Sequence, residues 1–183
     1  MCPILTRISA VPEWGTNALY LALDTSTLWE TYGIVRMSLI YRGRAIPLVW
    51  KVLQHPSSRV AYTVYAAVLD TAASLLPLQC KVIFVADRGF ADTHLMEHLR
   101  RLDWHWRIRF KSSFWIYRGG HQPCKTSRLS LALGEARFWH HVYMTKIHDG
   151  PVHLALARRQ DGKEDWFVVS DEPTDMKTFE EYG

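Results

Sequence analysis

Two aspartates hold equivalent places in this sequence. Asp24 follows the apolar run Leu19–Leu23, and Asp87 follows Val82–Ala86. Small, polar or turn-forming residues come next, Thr25-Ser26-Thr27 in one case and Arg88-Gly89 in the other. A single acid after a strand commonly makes an Asx turn or caps a helix. Two acids at the ends of parallel, neighbouring strands would do something else. Both carboxylates would leave the sheet at one edge, and their repulsion would keep one protonated unless a cation lay between them. A hard divalent ion, Mg²⁺ or Mn²⁺, is the occupant that oxygen ligands select. Two such ions about 4 Å apart suit in-line displacement at a phosphodiester.

The elements that must position these acids can be read from the apolar pattern. Leu19–Leu23 reads as a short strand ending at Asp24, Ile34–Tyr41 as a second, and Ala45–Val52 as a third. Arg42-Gly43 supplies a hairpin turn between the last two. Ser57 or Ser58 is placed to cap a helix whose Val60, Val64, Val68, Leu69, Ala72 and Leu75 recur at helical spacing before Pro77 stops it. Val82–Ala86 is the clearest buried strand, with a β-branched and aromatic centre bounded by charge. Asp92 is placed to cap a short helix carrying Leu95, Met96, Leu99 and Leu102. Trp104–Phe110 alternates as a half-exposed strand would. Short strands at Phe138–Thr145, Val152–Arg158 and Trp166–Ser170 follow, and Glu172-Pro173-Thr174 opens a final helical start. This order predicts an α/β layered core with a mixed sheet. The crossover rule makes Leu19–Leu23 and Val82–Ala86 parallel if they share it.

Composition narrows the class. At 183 residues, 48% hydrophobic and 22% charged, the chain is not disordered, collagen-like or a coiled coil. The net charge of +4 hides an uneven distribution. From Arg100 to Arg128 there are eight basic residues and one acid, whereas Asp161 to Gly183 holds eight acids and two lysines. A basic middle suits an anionic partner. Cys2, Cys80 and Cys124 are odd in number and form no CxxC pair, so neither a disulfide framework nor a structural zinc site is expected. That usage, with no secretory leader visible at Met1–Leu5, predicts the cytoplasm. The apolar runs are far too short to span a bilayer. His140, His141, His148 and His153 fit no zinc motif and read as structural or surface histidines.

The local sequences around the acids resemble a known family. Leu21-Ala22-Leu23-Asp24-Thr25-Ser26 and Val85-Ala86-Asp87-Arg88-Gly89-Phe90-Ala91-Asp92 look like the first and second acidic motifs of the DDE transposases of bacterial insertion sequences. Tyr41–Trp50 resembles that family's hairpin after the first acid, and Trp104–Arg109 its strand after the second. The likeness resumes at Phe167–Pro173 and at Tyr182. It implies an RNase H-like mixed sheet with flanking helices and a β-rich insertion. By this likeness residues 1–18 are an N-terminal extension, 19–111 the catalytic core with its first two acids, 112–166 the insertion, and 167–183 the return to the core.

The resemblance also implies an activity: metal-dependent DNA strand cleavage and strand transfer with two Mg²⁺ or Mn²⁺ ions. Asp24 and Asp87 match the first two metal-binding acids. The third belongs to a helix that begins with a tyrosine and continues through an arginine, a glutamate and a lysine. Tyr182 matches that tyrosine, and the chain stops one residue later. Glu180 and Glu181 precede it and do not match. The partners implied are double-stranded DNA, at transposon ends and target, and a second copy or a full-length transposase. Arg42, Arg44, Arg88, Arg107, Arg109, Lys111 and Arg118 are the candidate phosphate contacts, with Trp115 as a candidate stacking ring. Two other readings stand beside this one. The chain could be a catalytically inactive remnant that binds DNA or inhibits a transposase. It could instead be a host RNase H-like nuclease that uses Asp171 or Glu172.

Overall fold

A computed structural model describes residues 18–54, 57, 60–77, 80–129, 131–144, 149–162 and 165–182. The chain divides into two compact units, Met1–Val85 with His94–Trp104 and Ala86–Thr93 with His105–Gly183.

The first unit is built on an antiparallel meander of β1 (Leu19–Leu28), β2 (Tyr32–Tyr41) and β3 (Arg44–Gln54). The β2–β3 turn has two residues, Arg42 and Gly43, both at positive φ (50° and 70°). That matches the right-handed strand twist, and glycine at the second position adopts it without a Cβ penalty. β4 (Val82–Ala86) is hydrogen-bonded beside β1, giving the order β3-β2-β1-β4. The Leu19 amide donates to the Lys81 carbonyl at 2.8 Å. Strands that begin side by side and remain neighbours run the same way, so β4 is parallel to β1 and the sheet is mixed.

Helix α1 (Tyr62–Leu75) lies on β2 and β3 and buries Tyr65, Val68, Leu69 and Ala72. The opposing face of the meander contributes Leu21, Leu23, Val35 and Met37, all at 3% exposure or less. α1 begins later than the expected serine cap. Ala61 occupies the N-cap with no side-chain hydrogen bond, Ser57 lies in a bend ahead of it, and Ser58 lies outside the described residues. Packing of the apolar stripe, rather than a cap, fixes this helix. Helix α2 (Thr93–Arg101) starts directly after Asp92 and buries Leu95, Met96 and Leu99. Its His98 ring lies 2.7 Å from the Tyr62 hydroxyl and 2.8 Å from the Asp70 carboxylate. Both ring nitrogens of this buried side chain are therefore satisfied by α1, which fastens the two helices together.

The second unit orders its strands β5-β10-β9-β8-β6-β7. They are β5 (His105–Arg109), β6 (Trp115–Tyr117), β7 (Cys124–Lys125), β8 (Ala136–Met144), β9 (Asp149–Arg158) and β10 (Asp165–Ser170). Every adjacent pair is antiparallel. Helix α3 (Lys177–Tyr182) begins after the expected Glu172-Pro173-Thr174 start. The reason is local. Asp175 accepts from the Lys177 amide at 2.9 Å, and the Asp175 amide donates to the Thr178 hydroxyl at 3.1 Å, a reciprocal cap.

Strand β5 corrects an expectation. Its alternating sequence suggests one wet face, but Trp106, Arg107 and Ile108 are all buried, at 0%, 5% and 0% exposure. β10 flanks β5, with Val168, Val169 and Ser170 opposite Arg109, Ile108 and Arg107.

Candidate active site

Asp24 does not end its strand. It is the sixth residue of β1, because Thr25, Ser26, Thr27 and Leu28 continue to pair with Val35, Ile34, Gly33 and Tyr32. The threonines favour extended backbone and gain cross-strand partners there. The carboxylate leaves from the face of the meander opposite α1, with 60% of the side chain exposed. Its neighbour across the pair is Arg36, whose Nη2 donates to Oδ2 at 3.4 Å.

Asp87 does follow its strand directly. It stands at the head of a 3₁₀ turn, Arg88–Phe90, and its carbonyl accepts from the Phe90 amide at 2.9 Å. Its carboxylate makes no cap hydrogen bond and is 61% exposed. Arg109 Nη1 approaches it at 3.9 Å. Neither aspartate, then, has the capping role that an acid after a strand commonly takes. Among the described residues, both present exposed oxygens with one long ionic contact each.

The candidate cations divide into distinct environments. Arg88, Arg109 and Lys111 line one cleft of about 470 Å³ in the second unit, with Ser112, Ser113 and Asp165. Arg109 is mostly buried, its guanidinium 4.6 Å over the Trp166 ring. Three positive groups and two hydroxyls, with one acid among them, are donors of the kind that phosphate oxygens accept from. Arg42 and Arg44 are exposed on the hairpin, and Arg42 lies 5.2 Å over the Tyr41 ring. Arg118 packs 3.9 Å over Trp139, and Lys125 lies 5.5 Å over Trp115.

Arg107 is turned inward. Its guanidinium donates to Glu172 Oε2 and to the Ser170 hydroxyl, both at 2.9 Å, with 6% of the side chain exposed. Asp171 accepts from the Trp106 amide at 2.8 Å and lies 2.7 Å from His105 Nδ1. This network joins β5 to the residues after β10. Nothing in the alternation of Trp104–Phe110 signals it, since its partners lie more than 60 residues away. It also engages Asp171 and Glu172, the two acids on which the host-nuclease reading depends.

A histidine cluster was likewise not legible. His140 and His141 of β8 together oppose the single His153 of β9, in a bulge where His141 has φ 54°. The His140 and His153 Nδ1 atoms are 3.1 Å apart, and the His141 ring centre is 4.9 Å from that of His153. His148 lies outside the described residues. Among the described residues no group of three His, Cys, Asp or Glu side chains could hold a metal ion. Burial, and then the neighbouring His140 and His141, push the His153 pKa below its usual value, against the pull of Asp171. Protonation is therefore easier in the unfolded chain. Stability should be constant above about pH 6.5, the ordinary histidine value, and should fall as pH drops through the depressed value. His153→Asn should flatten that acid limb in urea titrations at stepped pH; an unchanged limb would show that His153 does not set it.

With the mixed sheet and the two acids described, the fold class is plain: an α/β protein with one acid within a strand and one just after a strand. The model of the transposase DDE domain family matches residues 29–180, and the chain belongs to that family. The match includes Asp87 and begins five residues after Asp24. A search of curated proteins found no match. Among solved structures, the chain is similar to a piggyBac transposase in a synaptic complex with hairpin DNA, at 11% identity and a TM-score of 0.49. That likeness covers 85% of this chain and 34% of the other, so this chain spans about a third of that protein's length. Among the described residues no helix is long and apolar enough to cross a membrane.

Proposed function

We propose that this chain performs metal-dependent DNA strand cleavage and strand transfer, with Asp24 and Asp87 as its first two metal-holding acids. The observation that carries this reading is that both carboxylates are exposed and neither makes a capping bond. The donor set fits Mg²⁺ or Mn²⁺, because such ions take hard oxygen ligands and are commonly held by one or two carboxylates together with substrate phosphates. When bound, a pair of such ions supplies Lewis-acid activation of a water or a DNA 3′-hydroxyl and stabilises the leaving oxygen.

The chain's own residues do the rest. Arg88, Arg109 and Lys111 hold backbone phosphates in the cleft that they line. Arg109, one of these three, also lies 3.9 Å from the Asp87 carboxylate. Arg42, Arg44 and Arg118 extend the contact to duplex DNA at transposon ends and target, and Trp115 offers a ring to a frayed base. A second copy or a full-length transposase is the protein partner, and the cytoplasm the compartment.

The test is cleavage of duplex DNA carrying terminal inverted repeats, with Mg²⁺, with Mn²⁺ and with chelator. Cuts that require metal and fall at the repeat ends support the proposal; no metal-dependent cut at any enzyme concentration overturns it. The cleft makes a separate prediction. Arg88→Ala and Lys111→Ala should each weaken binding to all duplex sequences alike and lower the salt slope of log K by about one. Anisotropy titrations between roughly 50 and 200 mM salt, the range over which phosphate contacts show most clearly, would measure this. Unchanged slopes in both variants would remove the cleft from the DNA-contact surface.

A further inference from the structure

On the meander, the face opposite α1 carries an exposed aromatic surface directly beside Asp24. Asp24 stands opposite Arg36 on β2, and Arg36 stands opposite Trp50 on β3. Directly opposed residues of antiparallel strands share a face, so acid, cation and indole form one row across three strands. Strands lie roughly 5 Å apart, which puts the Trp50 backbone about 10 Å from that of Asp24. The next rows on this face continue it, with Val52 opposite Ile34 and Tyr32 opposite Leu28. Trp50 is 61% exposed, Val52 55%, Tyr32 38%, and Trp29 at the hairpin tip 80%. Single exposed apolar residues are ordinary, but a contiguous set beside a candidate reacting group marks a binding surface.

The chemistry of this surface selects its occupant. We propose that it seats unpaired nucleobases of a DNA strand whose phosphate is presented at Asp24, with Trp50 as the stacking ring and Arg36 as the phosphate contact. The proposal rests on the reading of Asp24 as a site of phosphodiester chemistry. Three features favour a nucleic acid strand over a second protein. The largest exposed side chains are indoles, whose flat rings stack on any base. Between residues 19 and 54 there are four cations, Arg36, Arg42, Arg44 and Lys51, against two acids, Asp24 and Glu30. The Arg36 guanidinium is also under-used. Its Nε is buried without a hydrogen-bond partner among the described residues, and its Nη2 makes only the 3.4 Å contact to Asp24. A strand phosphate would give it a further charged acceptor at bonding distance. Duplex bases are stacked on one another, so this surface takes bases at a frayed or single-stranded end.

The experiment uses the full chain and an oligonucleotide with 2-aminopurine at its unpaired end, in chelator, so that no cleavage is involved. Stacking on the indole should quench the probe. Trp50→Ala and Trp50→Leu should both relieve the quench and weaken single-strand binding about tenfold, in line with alanine substitution of stacking rings elsewhere. Trp50→Phe should retain most of both. The leucine variant keeps an apolar side chain on the strand, so loss in both variants is not a folding effect. Quenching in Trp50→Leu equal to that of the unsubstituted chain would overturn the proposal. So would a Trp50→Ala chain that loses self-association while binding oligonucleotide unchanged, which would make this face an interface between copies. Failure of the reading of Asp24 shows separately, as metal-dependent cutting that survives Asp24→Asn.

Discussion

Asp24→Asn and Asp87→Asn should each fold as the unsubstituted chain does and lose metal-dependent DNA cleavage. The two halves of that expectation have different causes. Each carboxylate is about 60% exposed and makes one long ionic contact, at 3.4 Å to Arg36 and 3.9 Å to Arg109. Exposed pairs of this kind are worth about 0–1 kcal/mol, so the melting temperature should barely move. Asparagine keeps the shape and removes the charge. A metal held at these oxygens provides several kcal/mol of transition-state stabilisation. Losing about 4 kcal/mol corresponds to roughly a thousandfold in rate. Single-turnover cleavage of inverted-repeat DNA would measure it. Variants that cut at the unsubstituted rate would mean that these acids do not hold the reacting metal.

Arg107→Ala should do the opposite, lowering stability first. The guanidinium is 6% exposed and bonds Glu172 and Ser170, with Asp171 at 3.9 Å. Removing it takes the guanidinium from Glu172 and Asp171, which are 26% and 24% exposed and keep His105 as a nearby ring nitrogen. Breaking a buried pair costs 3–5 kcal/mol, and the partial exposure of the acids argues for about 3. For a chain of this length that lowers the melting temperature by roughly 6–12 °C. Lys111→Ala, at an exposed position on the cleft, is the control that should leave the melting temperature in place and lower DNA affinity. If Arg107→Ala melts with the unsubstituted chain and loses only DNA affinity, the inward network does not hold the unit.

Those two substitutions also mark where sequence reading succeeds and where it stops. Val82–Ala86 is a strand with the expected bounds, because five consecutive apolar residues buried throughout leave no ambiguity. The Arg42-Gly43 turn was legible because glycine takes the positive φ of a tight hairpin turn without a Cβ penalty. Asp24 was readable as a special acid but not as a mid-strand one. Thr25-Ser26-Thr27 carries turn-forming side chains, and only pairing with β2 extends the strand through them. Arg107 was misleading for a related reason. A strand buried on both faces can carry a charged residue when its partners come from another element, here Ser170 and Glu172. The His140, His141 and His153 cluster depends on a bulge between β8 and β9, which no spacing within either strand discloses. Local pattern thus located most of the elements. Partners distant in sequence determined which charged side chains face solvent.

Asp24 and Asp87 are proposed to act together in holding metal. The most direct measurement is Mn²⁺ titration of the isotopically labelled chain, following paramagnetic broadening of its backbone amides. If both acids hold the metal, amides around Asp24 and Asp87 broaden together at one Mn²⁺ concentration, Mg²⁺ reverses the effect, and either asparagine substitution abolishes it at both places. Broadening at one acid that is indifferent to loss of the other would contradict it.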